Sequence, residues 1–210
     1  YVYSGYETFV KQLSERLVHK DCNVTVYCHK GLFEIRPKEI KGIKLVYVPT
    51  IETKILSQPI HSFLSIIHAC FSNTDVLLVV NSANGPFGLL TKLFKIPTAI
   101  NVDGLEWLRP KWKGLGSIYF KWASKMATLF YDQIINDSDE MRKVYLDLFK
   151  RDSKVIAYGA DIRKSKNPDL INAWDIKKRE YYLVIGRLIP DNNADLIIKG
   201  FLKSSSKKKL

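Results

Sequence analysis

Two loops of the sequence gather side chains that could do chemistry. In Asp103-Gly104-Leu105-Glu106-Trp107-Leu108-Arg109-Pro110, two carboxylates, a guanidinium and an indole stand close together. Such a mixture suits a place where a hydroxyl is oriented by hydrogen bonds and a ring is stacked, and a carboxylate such as Asp103 can also steady developing positive charge. In Asn81-Ser82-Ala83-Asn84-Gly85-Pro86-Phe87-Gly88, two amides flank a tight turn. Turn chemistry accounts for Gly85, Pro86 and Gly104 equally well, and Asn84 could bond its own backbone. A third loop, Ser4-Gly5-Tyr6-Glu7, opens a helix whose first-turn N–H groups could face an anion, or whose dipole Glu7 simply complements.

Other chemistries find little support. His19, His29, His61 and His68 are scattered, and Cys28 and His29 are neighbours in a strand-like run, where alternation sends them to opposite faces. A zinc site needs tighter convergence, so no metal is expected. There is no Gly-x-Ser-x-Gly elbow, and no Gly-x-Gly-x-x-Gly followed by an acid as in dinucleotide enzymes. Residues 111–125 hold four lysines, four aromatics and no acid. They suit a segment lying at an anionic membrane surface, and equally one that packs Ile118, Phe120 and Trp122 against a sheet.

These loops need elements to position them. Residues 23–30, 43–50, 75–81, 97–103, 133–138 and 154–159 read as strands, several apolar on both faces, as in a covered parallel sheet. Phe9, Val10, Leu13 and Leu17 recur at helical spacing, as do Phe63, Ile66, Ile67 and Cys70, and Met141, Tyr145, Leu148 and Phe149. Strands alternating with helices predict an α/β, Rossmann-like parallel sheet flanked by helices, and the two reactive loops then leave carboxyl ends of strands, where ligands gather in such sheets. Residues 162–179 are polar, basic and interrupted by Pro168, as in a linker with one short helix. A further strand at 181–186 and a helix at 194–203 start a second unit.

The chain has 210 residues, 46% hydrophobic and 26% charged, with a mean hydropathy of −0.10. This balance excludes a disordered, collagenous or disulfide-scaffold chain, and no apolar run is long enough for a membrane span. Cys22, Cys28 and Cys70 are expected as buried thiols in a reducing compartment. The net charge of +12 calls for an anionic partner. No nucleic-acid motif accompanies it, so nucleic acid is not expected. A start at Tyr1, with no strand before the first helix and no signal segment, is expected of a fragment.

Five stretches, GYETFVKQLSERLVHKDCNVTVYCHK, NSANGPFG, INVDGLEWLRPKW, IAYGAD and YYLVIGRLIPDNN, resemble in order the bacterial family 4 glycosyltransferases, in the rhamnosyltransferase-like branch of surface polysaccharide assembly. The resemblance implies the GT-B fold, two Rossmann-like domains facing a cleft: residues 1–161 on the acceptor side with the first strand missing, 162–179 as linker, and 180–210 as the start of the nucleotide-sugar domain. It implies retaining transfer of a sugar, with rhamnose favoured by the branch, from a nucleotide-diphosphate sugar to a lipid-linked or oligosaccharide acceptor, without metal or other cofactor.

Carried over by position, Asp103 is the catalytic candidate. Gly5, Gly186, Arg187 and Asn192 fall on the donor side, although relatives often have a second glycine at Ser4 and a lysine at Asn192. Asn81, Asn84, Glu106, Trp107 and Arg109 fall on the acceptor side. The family's paired donor glutamates would lie past Leu210, so the 210-residue chain alone is expected to be inactive. Localisation is expected at the cytoplasmic face of the cell membrane, peripherally bound to anionic lipid. The rival reading is a noncatalytic basic module for a membrane surface or polyanion.

Overall fold

The computed structural model describes residues 5–51, 53, 56–102, 104–110, 112–162 and 164–210. Ser4, Asp103 and Lys111, named above, lie outside the described residues.

Four short apolar runs make the main sheet. Strands β4 (Leu77–Val80), β5 (Thr98–Val102), β6 (Gln133–Asn136) and β7 (Lys154–Val155) lie side by side in that order, all parallel. Parallel neighbours need a crossover to bring the chain back to the same edge, and helical segments supply it. The 3-10 segment Ser82–Phe87 and α3 (Gly88–Leu93) follow β4, and the 3-10 turn Glu106–Leu108 and α4 (Leu115–Phe130) follow β5. Helix α5 (Asp139–Phe149) follows β6. Its start is capped by Ser138, whose Oγ accepts from the Met141 N–H, with Asp139 and Glu140 in the first turn complementing the dipole. The result is the Rossmann-like α/β architecture that the strand and helix periods predict.

A second sheet runs β1-β3-β2. β1 (Val24–His29) pairs parallel with β3 (Ile43–Val48), and β2 (Glu39–Ile40) turns back antiparallel on β3. Helix α1 (Gly5–Val18) lies against β1 and β3, and α2 (Ser57–Cys70) against β3. The core is centred on Ile100, Val102 and Ile134 of β5 and β6, with Ile66 of α2, Phe120 and Ala127 of α4, and Tyr145 of α5 around them. Burying each large side chain contributes about 1.5–3 kcal/mol.

Several expectations shift in detail. The run 154–159 forms strand only at Lys154–Val155, although the Ile156 N–H still donates to the Asn136 carbonyl at 2.8 Å. Residues 181–186 do not form a strand among the described residues: Tyr181 alone bridges Lys209, because β propensity becomes a strand only where a neighbour pairs along its length. The helix at 194–203 appears as α6 (Ala194–Leu202), and the short helix in 162–179 as the 3-10 turn Pro168–Trp174. Cys22 is exposed rather than buried, since it sits just past the turn that ends α1. Of the three apolar side chains expected to pack from residues 111–125, Phe120 is buried while Ile118 and Trp122 are exposed. No helix among the described residues is long and apolar enough to cross a membrane.

Two contacts lock layers together. The segment Ser82–Phe87 presses so closely on α4 that a Cβ on Gly85 would stand 1.9 Å from the Ala123 carbonyl oxygen, and one on Gly88 would stand 2.4 Å from the Tyr131 ring. Across β1 and α2, His29 shares a 2.7 Å hydrogen bond with the Ser57 hydroxyl and stacks on His61, ring centres 5.5 Å apart. Burial holds the His61 imidazole below its ordinary 6.5; a backbone hydrogen bond with Cys28 opposes this, and the His29 charge adds to it.

Gly85→Ala should therefore cost about 2–3 kcal/mol or more through overpacking, a drop of roughly 4–12 °C in melting temperature for a chain this long. Gly5→Ala meets nothing within 4 Å among the described residues and should leave the melting temperature nearly unchanged. His61 sets a pH dependence. Because His61 takes up a proton less readily in the folded state than in the unfolded chain, its contribution to stability is full above about pH 6.5 and is lost as pH falls below that and through the lowered folded value. Thermal melts from pH 7.5 to 5 should show a falling melting temperature, with a shallower slope in His61→Phe.

Candidate functional site

The carboxyl ends of β4, β5 and β6 bring polar side chains to one edge of an otherwise apolar sheet. At the end of β4, Asn81 has φ 74° and ψ 129°, a sparsely populated conformation for a residue with a side chain. Its N–H donates to the Asn101 carbonyl and its Oδ1 accepts from the Ala83 N–H, both at 2.9 Å, which holds that conformation. Asn84 is 3% exposed; its Nδ2 donates to the Val80 carbonyl at 2.8 Å, and its own carbonyl accepts from the Tyr131 hydroxyl. These two amides thus build the turn in which they stand.

Along the edge, Asn101 near the end of β5 accepts at Oδ1 from the Tyr158 hydroxyl, 2.9 Å away, which ties the segment after β7 to β5. The Tyr158 ring meets Phe9 edge-on with centres 5.3 Å apart, so the first turns of α1 come to the same edge. Asn136 ends β6 fully buried; its Nδ2 donates to the Val102 carbonyl at 3.2 Å, and its Oδ1 has no hydrogen-bond partner among the described residues. Buried oxygens of Asp137 and Glu7 are likewise unpartnered. Buried polar atoms are nearly always paired, so a run of unpaired acceptors at strand ends and at the start of α1 marks a place where ligand donors could be received. Sequence reading passed over Asn101, Asn136, Asp137, Tyr158 and Glu7 as site residues. The available signal was a polar residue closing each apolar run, in INVD and IINDS.

Asp103 directly follows β5 in sequence and lies outside the described residues. Downstream, Glu106 forms a clamp: its Oε1 accepts from Arg109 Nη1 at 2.7 Å and its Oε2 from Trp112 Nε1 at 2.8 Å. Trp107 is 8% exposed and packs edge-on against Phe149, while its carbonyl accepts from the Ser117 hydroxyl. The indole of Trp107 therefore faces the core.

Gly5 opens α1 with free space around it. Gly186, Arg187 and Asn192 share a single turn, in which Asn192 Nδ2 donates to the Arg187 carbonyl at 2.7 Å. They line one groove of about 510 Å³ together with Leu183, Val184 and Ile197. The structure thus gathers Asn81 with the strand-end asparagines, pairs Glu106 with Arg109, and groups the three later donor candidates on their own turn.

Over residues 1–161 the chain matches the family described as a domain of unknown function, DUF1972, which is associated with glycosyltransferase-like proteins. No curated protein matches it.

The clamp predicts what Glu106 does for the fold. Glu106→Ala removes two charge-assisted hydrogen bonds in a half-buried setting and should cost about 1–2 kcal/mol, read as a lower melting temperature. Glu106→Gln, which can still accept at one oxygen, should lose less.

Proposed function

The chain belongs to the DUF1972 family, and from that premise we propose that it carries the acceptor-side half of a retaining glycosyltransferase, which moves a sugar from a nucleotide-diphosphate donor to a lipid-linked or oligosaccharide acceptor in cell-surface glycan synthesis. The observation that carries this reading is the polar carboxyl edge of the sheet, where Asn81, Asn101, Asn136 and Asp137 stand at or near the strand ends and Tyr158, bonded to Asn101, packs on Phe9 of α1. A hydroxyl-rich ligand supplies the donors that unpaired oxygens there lack.

The reaction needs few parts. The bond from the anomeric carbon to the diphosphate breaks, a bond from that carbon to the acceptor oxygen forms on the same face, and the acceptor proton passes to the departing diphosphate. Positive charge grows on the sugar and negative charge on the diphosphate. In this reading Asp103, which follows β5 in sequence, orients the acceptor hydroxyl and steadies the sugar charge. Arg187 and the N-terminus of α1 at Gly5 draw the diphosphate, with Gly186 and Asn192 shaping the Arg187 turn. Glu106 and Arg109 lie a few residues downstream of Asp103 in sequence, and the buried Trp107 between them packs into the core. Rhamnose is the proposed sugar, and the inner face of the cell membrane the proposed place of action.

The test is Asp103→Asn in the protein. Transfer from a panel of nucleotide sugars to a lipid-linked acceptor extract should fall at least a hundredfold, with the melting temperature within about 2 °C of the parent. A variant that melts early yet keeps its specific activity would make Asp103 a loop cap. A parent that transfers no sugar from any donor in the panel would overturn the reading.

A further inference from the structure

Helices α3 and α4 contain no aspartate or glutamate. Helix α4 spends one stripe on the core, burying Phe120, Ala123, Ser124, Ala127 and Thr128. Its other stripe carries Leu115, Ile118, Trp122 and Leu129, which are 85%, 66%, 47% and 51% exposed. The first three recur at helical spacing, and Leu129 follows two turns later, so they run along one outer face.

The face continues onto α3. Lys92 Nζ donates to the Leu129 carbonyl at 3.1 Å, which fastens the end of α3 to the end of α4. Leu89 and Leu93 of α3 are exposed, and so are Phe94 and Phe71, whose rings meet edge-on with centres 5.0 Å apart. Lys92, Lys95, Lys121 and Lys125 are exposed among these apolar groups. Exposed apolar side chains gathered on two neighbouring helices among lysines are a feature of interaction sites rather than of ordinary surface.

We infer that the α3–α4 face docks on an anionic lipid surface, with Leu115, Ile118, Trp122 and Leu129 entering the headgroup–acyl boundary and Lys92, Lys95, Lys121 and Lys125 meeting the phosphates. Each component has a place in such an interface. Leucine and isoleucine enter the acyl boundary, tryptophan settles at headgroup level, and lysine stems lie along apolar surface with their ammonium groups in the phosphate layer. A second copy of this chain fits badly, because a two-fold contact would set these lysines against the same lysines with no acid on α3 or α4 to relieve them. A soluble polyanion would use the lysines and leave the leucines and Trp122 in water. The inference does not depend on sugar transfer, since a binding module without catalysis would dock in the same way.

The experiment is sedimentation of the 210-residue chain with vesicles of phosphatidylcholine alone and with 30% phosphatidylglycerol, at low and high salt. Binding should require phosphatidylglycerol, weaken at high salt, and fall at least tenfold in Ile118→Ser/Trp122→Ser and in Lys121→Glu/Lys125→Glu. Lys207→Glu/Lys208→Glu, in the basic run at the other end of the chain, should change it less than twofold. Brominated lipid should quench tryptophan emission in the parent and quench it much less in Trp122→Phe, a conservative change that keeps the readout valid even if a double variant folds poorly. Failure to bind anionic vesicles at low salt would overturn the inference. So would binding lost only with Lys207 and Lys208, quenching unchanged in Trp122→Phe, or a concentration-dependent dimer abolished by Ile118→Ser/Trp122→Ser.

Discussion

The position of the 3-10 segment Ser82–Phe87 against α4 is set by backbone meeting backbone at Gly85, where a Cβ would fall 1.9 Å from the Ala123 carbonyl oxygen. Approach that close is open only to glycine, and it buries main-chain carbonyls that must still be paired. Tyr119 and Tyr131, at opposite ends of α4, donate their hydroxyls to the carbonyls of Ala83 and Asn84, each at 2.9 Å. Burial in turn pushes both phenols above their ordinary range, so they remain neutral donors. The loop after β4 is therefore a rigid seat for α4, and the crossover from β5 to β6 is built on it.

From that seat follows the shape of the sheet edge. With α4 held against the turn after β4, β5 and β6 lie beneath it, and Ile100, Val102 and Ile134 are wholly enclosed. Asn81, Asn101 and Asn136 stand at or near the strand ends; the Asn81 side chain holds its own turn, while those of Asn101 and Asn136 bond to Tyr158 and to the Val102 carbonyl of β5. The unpaired oxygens of Asn136, Asp137 and Glu7 are the residue of that arrangement. In the proposed function, an edge that is polar and short of donors would need little ordering to receive a ligand rich in hydroxyl groups.

The same helix that closes the core presents a basic, apolar outer face. Ala123 and Ala127 allow close approach on the inner side, and this leaves Ile118, Trp122 and Lys125 directed away from the sheet. One helix thus links the ligand edge of the sheet to a surface suited to lipid. An acceptor carried by lipid would then be met by a protein already held at the membrane, which joins the two functional readings without making either depend on the other.

Much of this was legible in the residues alone. The apolar runs at 23–30, 43–50, 75–81, 97–103 and 133–138 each contain a strand, and the helical spacings of α1, α2 and α5 were correct, because burial on both faces and a 3.6-residue period are local properties of a sequence. The polar loops at the strand ends could likewise be read as a candidate site, since any parallel sheet brings them to one edge. Three things were decided only by tertiary structure. Residues 181–186 have strand composition but only the Tyr181–Lys209 bridge among the described residues, since a strand exists through its neighbour. Asn84 and Trp107, legible as ligand groups, were drawn into the fold by partners distant in sequence, Tyr131 and Phe149. Residues 111–125 suited both core and membrane, and packing against Gly85 decided which stripe of α4 was buried, because composition records what a helix could bury and only the surface it meets selects the face.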